Sequence, residues 1–142
     1  MKKITELIRS KFATSVHILS LLVGFPEQWL SSEFIASSLN SNAALVRKEL
    51  SALREAGLVE SKEGKNGGNR LAKPPSQIKM SDIFALVKND HVFGFSPNEP
   101  NPKCPVGARI KGALDGLFTE IDDAILLKLK PVTLEEFVRQ YF

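Results

Sequence analysis

The first helical pattern in the chain runs from Lys11 to Val23, directly after Ser10. Apolar residues recur there at three- and four-residue spacing, and Gly24 followed by Pro26 ends the pattern. Residues 11–23 are therefore predicted to form a helix that faces a hydrophobic core. His17 lies on this helix and is interpreted as a structural residue. The apolar positions are Phe12, Ala13, Val16, Leu19, Leu22 and Val23.

Two further helical patterns follow, and a polar turn separates them. Residues 31–39 begin with a helix-capping serine and carry their apolar side chains on one side. The turn-forming sequence Asn40-Ser41-Asn42 comes next, and helical periodicity resumes over residues 43–56 until Gly57 ends it. A short helix, a tight turn and a longer helix are typical of a helix-turn-helix, although any small α-helical domain can contain such a pair.

A predicted β-hairpin follows the second of these helices. Residues 58–62 alternate apolar and polar side chains, residues 64–68 form a glycine-rich turn, and residues 69–73 can return as the partner strand. A hairpin directly after a helix-turn-helix predicts a winged helix. The alternative, a phosphate-binding loop, requires GxGxxG or GxxxxGK[ST] between a strand and a helix, and neither spacing is present.

The second half of the chain predicts three more helices. Ser81 is expected to cap a short helix that ends at Val87, and a proline-rich loop covers residues 89–105. A long helix is predicted from residue 106 to 130, roughly 37 Å in length. Pro131 ends it, and Thr133 caps a last helix.

A homodimer is predicted from the apolar stripe of the long helix. A helix of this length on so small a domain can hardly bury such a stripe within one chain, so a second copy is the simplest cover. The alternative is a hairpin in which the long helix folds back against the domain. The residues of the predicted dimer interface are Ile110, Leu114, Leu117, Ile121 and Ile125.

The fold class is therefore mostly α with a small β-hairpin, a winged helix-turn-helix domain with a long C-terminal dimerisation helix. We divide the chain into a DNA-binding domain at 1–88, a loop or sensor region at 89–105, and the dimerisation and C-terminal helices at 106–142. The length of 142 residues and the 43% apolar content fit one soluble domain. The single cysteine favours a reducing cytoplasm, and neither a membrane span nor a signal peptide is predicted.

Charge is distributed unevenly along the chain. Residues 1–73 hold 11 basic and 7 acidic side chains, and residues 74–142 hold 8 and 9. The basic first half indicates a polyanionic partner, which for a winged helix is duplex DNA. The alternative is that these charges form only a solvated helix face and a solvated hairpin. The predicted DNA contacts are Ser41, Asn42, Ala43, Arg47 and Lys48 on the recognition helix, and Lys62, Lys65, Asn66, Asn69 and Arg70 on the wing.

Several sequence motifs together carry a family resemblance. The stretches 42–48, 53–59, 71–75 and 78–83, with the GxxGG of Gly64 to Gly68, resemble the Rrf2 family of bacterial transcription regulators. This resemblance implies a homodimeric winged-helix protein on a partly palindromic operator. The family wing usually has Arg-Gly before the glycine-rich turn and an aromatic residue after it, where this chain has Glu63-Gly64 and Asn69. We therefore expect wing contacts to shift toward Lys65, Asn66 and Arg70.

Cys104 is the remaining candidate for chemistry. Residues 101–107 resemble the YwnA-like type of the family, and members that hold an iron–sulfur cluster use three cysteines in this region, so with one cysteine no such cofactor is predicted. Because Cys104 precedes Pro105, we expect it to cap the long helix, where the helix N-terminus favours a thiolate. It is either a redox-reactive thiol or a packed structural residue. His91 could join it in a metal site, but two ligands are too few, and no metal is predicted.

The function that follows is a DNA-binding transcriptional regulator with double-stranded DNA and a second copy of itself as partners. Repression is the mode expected of a small dimer that occludes a promoter. The alternative is a protein-interaction adaptor that uses the winged helix without binding DNA. An enzyme is not predicted, because His17 and His91 lie in unrelated contexts and no nucleophile, base and orienter are grouped.

Overall fold

The computed structural model describes residues 4–88 and 91–142, with side chains from Ser10 onward. These residues form six α-helices and one two-stranded antiparallel sheet, which confirms the predicted fold class. None of the helices in the described ranges is both long enough and apolar enough to cross a membrane. In chain order the elements are α1 (Ile4–Gly24), α2 (Ser32–Leu39), α3 (Ala43–Glu55), β1 (Val59–Lys62), β2 (Gly68–Leu71), α4 (Met80–Val87), α5 (Ile110–Leu129) and α6 (Leu134–Tyr141).

Local capping defines the helix-turn-helix formed by α2 and α3. The Ser31 hydroxyl accepts a hydrogen bond of 3.1 Å from the Phe34 N–H at the start of α2. Asn40 ends α2 with a left-handed backbone, φ 54°, and the Asn42 carboxamide caps α3. Gly57, with φ 78°, follows the end of α3. The turn and the helix ends lie where the sequence predicts them.

The hairpin of β1 and β2 is held against the helix-turn-helix by its second strand. The strands pair from Val59 with Leu71 to Lys62 with Gly68. Leu30 and Asn69 exchange two backbone hydrogen bonds of 2.9 and 2.8 Å, and this bridge joins β2 to the residue that precedes the α2 cap. The predicted wing is therefore present and is anchored at its base.

The hydrophobic core gathers side chains from both halves of the sequence. Its most buried members come from α1, α2, α3, α4 and α6 and from Ile78, which precedes α4. The Leu134 N–H donates to the Ile78 carbonyl and the Met80 N–H donates to the Val132 carbonyl, both at 2.8 Å, so α6 packs with the first 88 residues. The fully buried side chains of the core include Ile18, Leu19, Ile35, Leu50, Leu53, Ile78, Ile83 and Leu134.

Two helices start earlier than predicted. α1 begins at Ile4 and not at Lys11, so Ser10 lies inside the helix. α4 begins at Met80, so the prediction that Ser81 caps this helix is wrong. The Asp82 carboxylate caps α4 instead, because it accepts a hydrogen bond of 3.1 Å from the Lys79 N–H.

The long helix starts later than predicted. α5 begins at Ile110 with Arg109 at its N-cap, so the prediction that Cys104 caps this helix is wrong. The preceding residues form successive turns, in which the Cys104 carbonyl accepts a hydrogen bond of 2.9 Å from the Ala108 N–H. α5 packs against α4 and buries Phe118 and Asp122. The long helix therefore packs partly against the domain, as the hairpin alternative predicts. Leu117 on the predicted dimer stripe is nevertheless 49% exposed.

Candidate nucleic-acid interface

The N-terminal half of α3 presents a polar and basic face to solvent. Its opposite face is buried through Val46, Leu50 and Leu53. Arg47 and Lys48 are exposed, as the interpretation of α3 as a recognition helix requires. A helix fixed by its apolar face and basic on its free face has the form that enters a DNA major groove.

The other predicted contacts on this helix occupy its first turn. The Asn42 Oδ1 accepts a hydrogen bond of 2.9 Å from the Leu45 N–H, so one end of its carboxamide is committed to capping. Ser41 is exposed, but its N–H is bonded to the Ala36 carbonyl at 2.9 Å. Ala43 is half-buried against the core. The hydroxyl of Ser41 and the amide nitrogen of Asn42 are the polar groups that can still point toward a phosphate.

An ion pair that the sequence analysis did not identify spans the two helices of the motif. Arg47 Nη2 lies 2.7 Å from Glu33 Oε1 in the first turn of α2. The two residues are separated by 14 positions and no periodic pattern links them. Arg47 is thus held by a carboxylate on the surface where it would meet a base.

The wing holds its arginine by stacking as well as by charge. The Arg70 guanidinium lies 4.1 Å from the centre of the Trp29 ring, and its Nε lies 2.6 Å from Glu60 Oε1. The Lys62 ammonium lies 5.9 Å from the same ring. Trp29 therefore aligns two basic side chains of the hairpin. Its role was also missed, although a lone tryptophan just before a helix cap was an available signal.

The tip and the base of the wing differ in what they expose. Lys65 and Asn66 are exposed at the tip, beside Gly64 with φ 100°. Asn69 is only 5% exposed. Its carboxamide donates to the Leu30 carbonyl at 3.0 Å and accepts from the Ser61 hydroxyl at 2.6 Å. A DNA contact by Asn69 does not fit this burial, because its side chain is used to attach the wing to the protein.

A second polar cluster joins the loop after α4 to the long helix. Asp122 is 1% exposed and accepts hydrogen bonds from His91 Nδ1 at 2.6 Å and from the Val92 N–H at 3.0 Å. His91 Nε2 lies 2.9 Å from Asp115, and the Lys88 ammonium lies 3.5 Å from Asp122. An imidazole donates from both nitrogens only when it is protonated. In its protonated form, His91 therefore bridges two carboxylates of α5.

The ionisation of this cluster follows from its hydrogen bonds. The bonds to Asp115 and Asp122 raise the pKa of His91 above its ordinary value. Burial acts to raise the pKa of Asp122, but the hydrogen bonds from His91 and from the Val92 N–H outweigh it, so this pKa is lowered. Both pKa shifts favour the charged forms of His91 and Asp122. The bonds between these charged groups join the loop to α5.

Cys104 is not among the residues bonded in this cluster. It is exposed, and the N–H groups of Gly107 and Val106 lower the pKa of its thiol. Both ring nitrogens of His91 are bonded to carboxylates, so the geometry does not favour a metal site shared by His91 and Cys104. Cys104 is therefore an accessible thiol with increased thiolate character, outside the helix cap where it was expected.

A helix-turn-helix followed by an anchored hairpin, with basic side chains exposed on both, is a winged helix-turn-helix domain of the kind found in DNA-binding proteins. The model of the Rrf2 family, described as "Iron-dependent Transcriptional regulator", matches residues 8–140. The chain belongs to the Rrf2 family. Regulators of this family bind DNA, act as dimers and are not enzymes, which confirms that the chain is not an enzyme.

Individual relatives agree with this assignment. The chain is 36% identical over 137 residues to a Bacillus subtilis (strain 168) protein named as an HTH-type transcriptional regulator, YwnA. The match covers 96% of this chain and 100% of that protein. It is similar to the structure of CymR (YrzC), described as the global cysteine regulator of B. subtilis, with a TM-score of 0.68, 26% identity and full coverage of both chains. A crystal structure described as that of a DNA-binding protein matches with a TM-score of 0.70 and 34% identity, over 90% of this chain and 98% of the other.

The family description implies iron. The donor residues of this chain do not fit a three-cysteine iron–sulfur cluster. A three-cysteine site cannot be built from the one cysteine in the sequence. Within residues 4–88 and 91–142, no three His, Cys, Asp or Glu side chains are grouped so that they could hold a metal ion. We assign no step to iron, and the absence of a cofactor stays a prediction.

The charged state of His91 leads to a pH-dependent stability. Because the pKa of His91 is raised in the folded chain, its stabilising effect is fully present below the ordinary value of 6.5 and is lost as the pH rises through the folded value. We expect the free energy of unfolding, measured by urea denaturation, to fall across this range. The His91→Gln variant should lose this fall.

His17→Gln is the matched control, because it removes the other histidine and leaves His91 with its two carboxylates. This control should retain the wild-type dependence on pH. An identical pH profile for wild type and His91→Gln would contradict the bridging role of the imidazolium.

Proposed function

We propose that this protein is a sequence-specific, DNA-binding repressor that acts as a homodimer on a partly palindromic operator in the bacterial cytoplasm, at the nucleoid. One observation carries the proposal: Arg47 and Lys48 are exposed on a helix whose other face is buried, beside a hairpin that exposes Lys65. This arrangement supports DNA contact, because a winged helix meets DNA through its recognition helix and its wing.

In this proposal each part of the interface has a separate task. Arg47 reads guanine through its O6 and N7 acceptors in the major groove. Lys48 and the Ser41 hydroxyl contact phosphates and fix the orientation of the helix. Lys62, Lys65, Asn66 and Arg70 on the wing contact the adjacent backbone or minor groove. The attraction to phosphates makes binding strongly dependent on salt.

The dimer in this proposal is built on α5. The five stripe residues Ile110, Leu114, Leu117, Ile121 and Ile125 are all at least partly exposed in the single chain. Covering such a stripe with its copy across a two-fold axis gives two recognition helices that face opposite half-sites. Half-sites spaced by one DNA turn, about 34 Å, match this symmetry.

A protein-interaction adaptor is the second function to consider. Such an adaptor would not need donors on the free face of α3, and an acidic face there would favour it. Glu33 is the acidic residue bonded on this surface, and it is paired with Arg47. The basic face therefore supports DNA binding over the adaptor.

Selection of bound duplexes from a random DNA pool tests the proposed function. We expect recovery of a partly palindromic sequence with half-sites about 10 base pairs apart. Arg47→Ala should bind the recovered operator about 10- to 100-fold more weakly, because a bidentate contact to guanine is lost.

Arg139→Ala is the matched control for this loss, since it removes an arginine that is also ion-paired but lies on α6. It should bind the operator as the wild type does. Failure of the wild-type protein to enrich any sequence at moderate salt would contradict the proposal.

The dimer interface is tested by placing a charge on the stripe. Leu117 is 49% exposed in the single chain, so Leu117→Glu should fold and yet fail to pair. Light scattering should give the 15.7 kDa monomer mass for this variant and twice that mass for the wild type. Leu127→Glu, on the same helix at a residue 71% exposed, should remain a dimer. A dimeric Leu117→Glu protein would contradict the proposed interface.

The proposed function includes a redox response through Cys104. The thiol is exposed and its pKa is lowered by the backbone N–H groups of Gly107 and Val106. A disulfide with a small thiol or with a second chain at this position would alter the turns that lead into α5 and thereby the spacing of the two recognition helices. Cys104 then acts as a sensor in the loop region.

Treatment with diamide and glutathione tests this response by an operator-binding assay. The wild-type protein should lose binding and recover it with a reductant, while Cys104→Ser should bind throughout. The same loss of binding in both proteins would contradict a thiol switch.

A further inference from the structure

The ion pair of Glu33 and Arg47 lies on the surface that the proposed function turns toward DNA. Glu33 is in the first turn of α2, where the dipole of the helix favours a carboxylate. Arg47 is one turn into α3, and its Nη2 lies 2.7 Å from Glu33 Oε1. Because Ile35 and Val46 anchor the two helices in the core, the backbones that carry Glu33 and Arg47 are held at a fixed separation.

The dipole of α2 favours a carboxylate at this position, but the bond from Glu33 to Arg47 adds little further stability. The side chains of Arg47 and Glu33 are 59% and 68% exposed, and ion pairs with this exposure contribute little to folding. A carboxylate on a DNA-facing surface also repels phosphates and weakens binding to every duplex. The bond from Glu33 to Arg47 therefore bears on binding more than on folding.

We propose that Glu33 is a specificity-determining residue that keeps Arg47 from contacting phosphates of unrelated DNA, an inference that rests on the proposed DNA binding. An unpaired arginine reaches a phosphate on any duplex and releases a counterion. When it is bonded to Glu33, Arg47 must first give up a charge-assisted hydrogen bond. The O6 and N7 of a correctly placed guanine offer two acceptors that match the guanidinium fork, so the operator replaces the carboxylate where a random sequence does not.

The wing shows a contrasting arrangement. Arg70 is also bonded to a glutamate, with 2.6 Å between its Nε and Glu60 Oε1. The Trp29 ring covers its guanidinium at 4.1 Å, so removal of Glu60 would leave Arg70 held by stacking. Glu33 is therefore the better position for a test, because Arg47 is held by the bond to its carboxylate.

The variant Glu33→Gln keeps the size of the side chain and removes its charge. Binding of the full-length protein to the selected operator and to a scrambled duplex of the same length is measured between about 50 and 200 mM salt. We expect affinity for the scrambled duplex to rise about 3- to 10-fold, with the slope of log affinity against log salt steeper by about 0.9, as one added phosphate contact requires. Operator affinity should change less, so the specificity ratio falls.

Two further proteins separate this role from a general effect of charge. Glu135→Gln removes the same charge from an ion pair with Arg139 on α6 and should leave the specificity ratio unchanged. In an Arg47→Ala background, Glu33→Gln should no longer raise affinity for the scrambled duplex, because its effect acts through Arg47. Thermal unfolding of each variant establishes that it is folded.

The outcomes are distinguishable. A wild-type protein that binds no duplex would overturn the proposed function and this inference with it. If the wild type binds its operator, an unchanged specificity ratio in Glu33→Gln would overturn this inference alone. An equal gain of affinity with and without Arg47 would do the same, because it would show that Glu33 only repels phosphates.

Discussion

The relative position of the two surfaces that face DNA in the proposed function depends on the pairing of Leu30 with Asn69. Their two backbone hydrogen bonds, of 2.9 and 2.8 Å, join β2 to the residue just before the cap of α2. The buried Asn69 carboxamide adds a third bond to Leu30 and accepts one from Ser61 on β1. Because the same junction fixes the wing and the first helix of the motif, α3 and the hairpin tip are presented as one rigid unit. DNA grooves have fixed spacing, so recognition by two elements requires such a unit.

The basic residues of this unit fall into two groups, those whose side chains are bonded within the chain and those whose charges are exposed. The arginines are held by partners within the chain, Arg47 by Glu33 and Arg70 by Glu60 together with Trp29. Lysines such as Lys65 carry their charge on exposed positions. A lysine acts as a point charge that any phosphate satisfies, whereas the planar arginine fork matches particular acceptors. In the proposed function, internal pairing of the arginines therefore lowers their attraction to any DNA more than it lowers their contact with matching bases.

The sequence predicted the elements whose signals are local and missed the contacts between elements. The caps at Ser31 and Thr133 depend on neighbouring residues and were found where the sequence places them. The bond between Glu33 and Arg47 depends on how two helices pack, and no spacing rule reveals it. Asn69 is a case between these two. Its departure from the family pattern was evident, but only the fold shows that the residue is buried and holds the wing in place.

The connection from α4 to α5 links the DNA-facing unit to the proposed dimer helix. Asp122 on α5 is bonded to His91 and to the Val92 N–H, and Lys88 at the end of α4 lies 3.5 Å from the same carboxylate. A nearly buried carboxylate with several partners is costly to move, because each partner would lose a charged hydrogen bond. The angle between α4 and α5 is thereby fixed where the loop begins. In a dimer built on α5 this angle sets the distance between the two recognition helices, so a change in the loop would act on operator spacing and leave the reading residues untouched.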